Sequence, residues 1–462
     1  MSPVHLRLSG VHHSEIKAHL LPGDGKEAAA FALCGRRRGT PHVLCVQKVL
    51  CVPHHRCDRS AQHITWPSDV LPALLNEAAA SDLALLKLHS HPTGYPRFSS
   101  TDDRSDRGVF ASAFGWIDGD GPHASAVMLP DGSMFARAAL SSGGFEEVAS
   151  IAVAGHDVLS WGPGIPRNET APVDQRQLFG PGTVERLKRM TIAVVGCSGT
   201  GSPVVELLMR LGVGHQVLVD PDLVEERNLN RIYNTRRADV GRRKVDVLAD
   251  FVREADLGTK VTALPQLISD ADTIRVVSGA DFVFGCMDSA EGRHILSRVA
   301  SFYLLPYIDM GVRLDADGKG GIAQDGLAIH YIQPGLSSLL SRGVYTMDRV
   351  EAESLRRTSP EAYAEQRRAK YVTNVEVISP AVITFNSRAA ITAVDEFLCR
   401  IHPGLRLDDN RYFATTRSSL VNAQTSHEAE SDIPCPVMLR HVGRGDVRPL
   451  LGLPGLPAAE TP

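Results

Sequence analysis

The sequence predicts an α/β protein of two domains, and three observations carry that expectation. At 462 residues the chain exceeds what one ordinary hydrophobic core serves. A stretch rich in Pro and Gly and lacking periodicity, GHDVLSWGPGIPRNETAPVD from Gly155 to Asp174, divides it. Beyond the divide, TIAVVGCSGTGSPVVELLMRLGVGHQVLVD reads strand, glycine loop, helix, strand, which is the β-α-β unit of a parallel sheet. The expected organisation is one domain over 1–162, a linker over 163–174, and a second domain over 175–462 that includes the C-terminal tail.

In the first domain, β-type runs such as HVLCVQKVLCV (His42 to Val52) alternate with one clear helix pattern. That helix starts at the Pro67-Ser68-Asp69 cap signal and runs through VLPALLNEAAASD. LALLKLHSH (Leu83 to His91) reads as a buried strand that delivers histidines at its end. SAVMLPDGSMFARAAL reads as a strand pair folded at Asp131-Gly132. In the second domain, ADFVFGCMD and PYIDMGVRL continue the sheet with helical segments between them. The tail from Arg440 is turn-rich and expected on the surface.

Composition narrows the function classes. The chain is 43% hydrophobic and 22% charged with net charge -4, and its pI of about 6.5 gives no footprint for nucleic acid or an anionic membrane. No signal-peptide order and no apolar run near ~20 residues is present, so a cytoplasmic protein is expected. Eight scattered cysteines fit reduced thiols better than a disulfide framework.

One constellation lies in LHSHPTGYPRFSSTDD, from Leu88 to Asp103. His89 and His91 are two apart on a strand, so both project from one face. Asp102 can supply a third ligand, leaving a zinc ion one open position. Ser99 is spaced to donate a hydrogen bond to a developing oxyanion, and a general base remains to be found. A lone strand histidine is usually a core residue; four positions in this order are not explained that way. The spacing resembles the JAB/MPN (JAMM) metalloprotease family, whose members cleave ubiquitin-like proteins from conjugates or trim carrier proteins. The resemblance implies a cytidine-deaminase-like α/β domain, a zinc ion, and a glutamate base from an upstream strand. Glu15 and Glu27 are available, and Glu27, opening an apolar strand, fits better. CVPHHRC (Cys51 to Cys57) also gathers metal-liking residues, but it lacks a second half with zinc-finger spacing.

The other constellation begins at Gly196, Gly199 and Gly201, where glycines between strand and helix let the backbone approach a phosphate. Asp220, ending the next strand, suits a ribose hydroxyl, which leaves a dehydrogenase open at this point. The continuation through DPDLVEERNLNRIYN, DVGRRKVD and FVFGCMDSAEGR resembles the ThiF/MoeB-type adenylyltransferases related to ubiquitin-activating enzymes, over most of Gln175 to Pro403. That resemblance implies a Rossmann-like domain using ATP and Mg²⁺. It implies Asp220 on the ribose, Asn228 and Arg231 on nucleotide and phosphates, Lys244 on phosphate, and Asp288 positioning Mg²⁺. It also implies a homodimer in which Arg176 reaches the partner subunit's ATP. Joining a carboxylate to ATP brings two anions together, so Arg, Lys and a metal ion suit it.

Two departures from that family matter. Relatives often carry a zinc ribbon of two Cys-x-x-Cys pairs; here those positions read Ser338, Ser341, Cys435 and Met438, so no structural zinc is expected. No cysteine is evidently placed to take the acyl group. Direct handover or an unplaced cysteine ranks first, with Cys435 the least unsuitable thiol and a serine at 337, 338 or 341 the bolder option. Together the resemblances imply a bacterial ubiquitin-like modification enzyme, with a β-grasp protein and a conjugating enzyme as partners and phage defence as a setting. The alternative is a sulfur-carrier adenylyltransferase joined to a carrier-processing peptidase. A non-catalytic scaffold is disfavoured by the complete ligand set.

Overall fold

The structure, a computed structural model, describes residues 2–165, 181–317, 322–361, 363–364, 382–454 and 456. Most of the expected linker and Arg176 lie outside these residues. The mixed α/β class is found. Contacts gather the chain into two compact units. One comprises Met1–Arg167, Ser301–Leu304 and Arg440–Pro454; the other comprises Asn168–Ala300, Leu305–Leu439 and Gly455–Pro462.

The first unit contains β1 (Val4–Ser9), α1 (Gly10–Leu20), β2 (Ala29–Arg37), β3 (His42–Cys51), β4 (Asp58–Arg59), β5 (Ile64–Thr65), α2 (Val70–Ser81), β6 (Ala84–Ser90) and α3 (Ser100–Trp116). It continues through β7 (His123–Met128), β8 (Met134–Ala139), β9 (Phe145–Glu147), β10 (Ser150–Ala154) and β11 (Val158–Trp161). Nine strands form one sheet in the order β11-β10-β1-β3-β2-β6-β7-β8-β9, and β4 pairs with β5. β2 shows how the two faces are filled. Ala30, Ala32 and Cys34 join Ile16 and Leu20 of α1 on one side. Ala29, Phe31 and Leu33 join Leu74 and Leu75 of α2 and Val109 and Phe110 of α3 on the other. Each fully buried Leu or Phe contributes ~1.5–3 kcal/mol.

Two helices escape a reading by periodicity. The buried stripe of α1 includes His13, whose Nε2 lies 3.1 Å from the Gly132 carbonyl oxygen. That of α3 is headed by two aspartates, Asp102 and Asp106, before Val109, Phe110 and Ala113. Asp106 is fully buried between the Lys87 ammonium (2.6 Å) and the Arg137 guanidinium (2.8 Å). Removing it leaves two cations uncompensated, so Asp106→Ala is expected to cost about 3–5 kcal/mol in denaturant unfolding.

The tail corrects an expectation. Sequence analysis puts 440–462 with the second domain and on its surface, whereas Arg440–Pro454 gathers with the first unit and buries Val442, Leu450 and Leu451. Its glycines explain this. The Gly443 carbonyl oxygen accepts from Gly35 N–H at 3.2 Å, and a Cβ on Gly445 would stand 2.4 Å from the Arg36 carbonyl oxygen. Only a chain without side chains there can lie so close to β2 and β3.

The second unit contains α4 (Pro181–Arg189), β12 (Thr191–Val195), α5 (Gly201–Arg210), β13 (His215–Val219), α6 (Lys244–Ala255), β14 (Lys260–Leu264), α7 (Ala271–Ser278), β15 (Phe282–Gly285) and α8 (Ala290–Tyr303). Then follow β16 (Tyr307–Ala316), β17 (Ile322–Ile332), α9 (Met347–Thr358), α10 (Ile383–Ile401), β18 (Thr415–Ser419) and β19 (Gln424–Glu428). Its sheet runs β14-β13-β12-β15-β16-β17-β18-β19. Pairing is parallel from β14 to β16 and antiparallel beyond. Chain order reverses between β12 and β15, which opens a crevice outside their carboxyl ends. Among the described residues no helix is long and apolar enough to cross a membrane.

Candidate active sites

In the first unit, sheet register assembles a site from three elements. β6 pairs antiparallel with β2, and His89 stands opposite Ala29, two residues after Glu27. The Glu27 backbone is pinned: its N–H donates to the Ser60 carbonyl (2.8 Å) and its carbonyl accepts from Arg59 Nε (2.6 Å). Ser90, facing away from the two histidines, accepts from Ala28 N–H at 3.0 Å. Glu15 is exposed on α1.

Ser99 is the N-cap of α3 and Asp102 its third residue. The Asp102 carboxylate accepts from Ser99 N–H (2.6 Å), and Asp102 N–H donates to Ser99 Oγ (3.2 Å). The Ser-x-x-Asp spacing is thus also a capping box. It leaves the Ser99 hydroxyl hydrogen available.

His89 Nε2 lies 3.0 Å from Asp102 Oδ1, His91 Nε2 lies 3.5 Å from Asp102 Oδ2, and the two imidazole nitrogens stand 3.1 Å apart. Ligands around a tetrahedral zinc at 2.0–2.1 Å stand roughly 3.3 Å from one another, so these donors fit the ion. Among the described residues this is the only cluster of its kind. Burial lowers the His89 pKa, which suits an imidazole that must be neutral to ligate. Against burial, hydrogen bonds from His89, His91 and Ser99 N–H hold Asp102 well below the usual carboxylate range.

Burial pushes the Glu27 carboxyl up to about 7, with Asp102 adding to the rise and His91 and Lys87 opposing it. A carboxyl raised in the fold binds its proton more tightly folded than unfolded. Glu27 therefore contributes stability to the metal-free protein that is lost as pH rises from about 4.5 toward 7. Glu27→Gln is expected to remove this loss and to raise metal-free stability at pH 8 by roughly 1–2 kcal/mol, discounted for partial solvation. Thermal unfolding at pH 4 and pH 8 reads the difference.

In the second unit, a cleft of 1280 Å³ follows the crevice. Gly196 has φ +96°, and a Cβ on Gly201 would meet the Gly196 carbonyl oxygen at 1.8 Å, so these glycines make the loop possible. Asp220 accepts from Cys197 N–H (2.7 Å) and Asp222 N–H (2.9 Å). Lys244, opening α6, sits 2.7 Å from Asp222 and 3.7 Å from Asp220. Asn228 is buried and its Oδ1 accepts from Glu225 N–H (3.0 Å); Arg231 donates to the Arg227 carbonyl (3.1 Å). Asp288 is exposed on the loop after β15. Gly196, Gly199, Asp220, Asn228, Arg231, Lys244 and Asp288 line the one cleft, whereas Cys197 and Gly201 do not.

Motif reading misses other lining residues. Asn386 comes from α10, and a Cβ on Gly199 would meet its Nδ2 at 2.3 Å. Asp309 of β16 accepts from Arg293 Nε (3.1 Å) and the Tyr307 hydroxyl (2.8 Å). The apolar run around Asp309 reads as plain core strand. Cys286, unplaced from sequence, also lines the cleft, and burial pushes its thiol well up.

Of the suggested acyl acceptors, Ser337, Ser338 and Cys435 are buried and Ser341 is exposed. Ser337 is buried, hydrogen-bonded to Glu430 and Arg342 (2.9 Å from Nε). Ser338 and Ser341 bond one another's backbone N–H groups, and Cys435 is 1% exposed with its N–H on the Leu336 carbonyl (3.0 Å). The Arg342–Glu430 pair (2.9 Å) holds this turn.

Comparison with known proteins adds the following. Residues 10–138 match the prokaryotic homologues of the JAB domain, and residues 173–322 match the ThiF family. The SAMP-activating enzyme E1 of Haloferax volcanii is 33% identical over 129 residues, 28% of this chain and 48% of that protein. The adenylyltransferase and sulfurtransferase UBA4 of Meyerozyma guilliermondii is 30% identical over 134 residues, 29% of this chain and 31% of that protein. The sulfur carrier protein adenylyltransferase of Thermus thermophilus is 31% identical over 142 residues, 30% of this chain and 51% of that protein. The chain thus spans between a third and about half of the length of these relatives. It carries a domain of the prokaryotic JAB-homologue family followed by a domain of the ThiF family.

Proposed function

We propose that the second unit activates the C-terminal carboxylate of a ubiquitin-like, β-grasp protein as an acyl adenylate, and that the first unit is a zinc peptidase for the tail or conjugates of the same protein. The observation that carries the reading is the convergence of the glycine loop, Asp220, Asn228, Arg231, Lys244 and Asp288 on one cleft. The substrate carboxylate attacks the α-phosphorus of ATP and pyrophosphate leaves. Lys244 and Arg231 offset the charge of the two anions, and Asp288 would hold Mg²⁺. Such chemistry has no need of a hydride acceptor, which separates this reading from a dehydrogenase.

For cleavage, His89, His91 and Asp102 would hold a zinc ion, which when bound would supply Lewis-acid chemistry for the scissile carbonyl and for water. Glu27 takes the proton from water and passes it to the leaving amine, while the Ser99 hydroxyl donates to the oxyanion. Placing both activities on one chain keeps maker and cutter at high effective concentration for a shared tail. A conjugating enzyme as partner, a homodimer, and a bacterial modification pathway serving phage defence complete the reading.

The names of the relatives favour a second reading, in which the adenylate receives sulfur on a carrier protein. One experiment separates the two. The protein is mixed with glycine-ended β-grasp proteins encoded beside it, ATP and Mg²⁺, with zinc chelated. Intact mass then reads the products. AMP release with a thiol-sensitive adduct or conjugate supports modification, and a thiocarboxylate supports the carrier reading. Failure of every such protein to stimulate ATP–pyrophosphate exchange would overturn both.

A further inference from the structure

The ligand-bearing turn of α3 is gripped from outside the metal site. Arg137, on β8, stacks its guanidinium between Phe98 (3.9 Å to the ring centroid) and Phe145 (4.1 Å). Phe98 immediately precedes the cap residue Ser99. The same guanidinium bonds Asp103 (2.5 Å from Nη1), the residue after Asp102, and Asp106 (3.1 Å from Nε, 2.8 Å from Nη2), one helical turn on. One side chain therefore touches the residues on both sides of the Ser99–Asp102 capping box. On its other oxygen, Asp106 receives Lys87 at 2.6 Å, and Lys87 also donates to Ser105 Oγ at 2.8 Å. Lys87 sits on β6 two residues before His89, so its side chain leaves the strand on the same face as the ligands.

We propose that Lys87, Asp106 and Arg137 are positioning residues: a clamp that sets where Asp102 stands relative to His89 and His91. The inference rests on the zinc-peptidase reading of this unit. Physically, the histidines come from a strand and the aspartate from a helix, and their separation must hold within about 0.5 Å for tight metal binding. The capping box fixes Asp102 only relative to its own helix. Lys87 and Arg137 fix that helix relative to β6 and β8, through a carboxylate that is completely buried and accepts from both cations. A planar fork flanked by two rings holds direction as well as distance, which a lysine at 137 lacks.

The test uses the full chain with Arg137→Met, Arg137→Lys and Lys87→Met, each alone and combined with Asp102→Asn. Competition with a chelator gives the zinc affinity, the visible spectrum of the Co²⁺-substituted protein reports ligand geometry, and thermal unfolding of the metal-free protein reports stability separately. Arg137→Met is expected to weaken zinc roughly 10–100-fold, as loss of groups that orient metal ligands does, and to shift the Co²⁺ spectrum. Arg137→Lys is expected to fall between it and the parent. In the Asp102→Asn background Arg137→Met is expected to cost no further affinity, because the ligand it positions is gone. Lower melting temperatures with parental zinc affinity and Co²⁺ spectrum, or fully additive losses in the double variants, would overturn the clamp. Failure of the parent itself to bind zinc would instead overturn the peptidase reading. Should Arg137→Met not fold, Lys87→Met and Arg137→Lys decide by the same measurements.

Discussion

Replacing Glu27 by glutamine or alanine is expected to lower cleavage of a ubiquitin-like tail by ~10²–10⁴-fold, the span of a lost general base, with zinc still bound. None of the three ligand atoms comes from Glu27, so its loss removes proton transfer and leaves the donor set in place. The position of the carboxylate depends on its backbone, fixed by Ser60, Arg59 and, through Ala28, Ser90. Asp102→Asn is the contrasting control, since it reduces metal content together with activity. Turnover alongside zinc content by atomic absorption separates the two. Parental turnover in Glu27→Gln would remove Glu27 from the mechanism and return the search to other upstream acids.

Asp288→Ala is expected to reduce ATP–pyrophosphate exchange at least ~100-fold, because on the proposed reading its carboxylate would hold the ion that offsets charge on the phosphates. Cleavage by the same protein is expected to be unchanged, since no residue of the peptidase site lies in that cleft. The exposed setting of Asp288 makes a folding defect an unsuitable explanation for such a loss. Retained exchange would show that another cleft acid, with Asp309 foremost, takes the role.

Some of the molecule is legible from residues alone. Strand–loop–helix chemistry is local: glycines at 196, 199 and 201 after the apolar run of β12 announce their loop, and the alternation in β7 and β8 around Asp131-Gly132 announces a hairpin. Ligand spacing on β6 is equally local, because the period of a strand puts His89 and His91 on one face wherever the strand lies. The mixed α/β class followed from these signals.

What only the tertiary structure decided depends on contacts between distant segments. α3 hides from a periodicity reading because aspartates occupy the head of its buried stripe, and the burial of Asp106 is tolerable only beside Lys87 and Arg137 from two other strands. Glu27, which the sequence already favours over Glu15, comes near the histidines only through the register of β2 against β6, while Glu15 faces solvent. The tail leaves its expected domain because Gly443 and Gly445 permit a backbone approach that no propensity encodes. Sequence by itself determined which residue types stand at the two candidate sites and most of the elements they ride on. Sheet register and buried ion pairs decided which of them meet, because those free energies arise between groups tens to hundreds of residues apart.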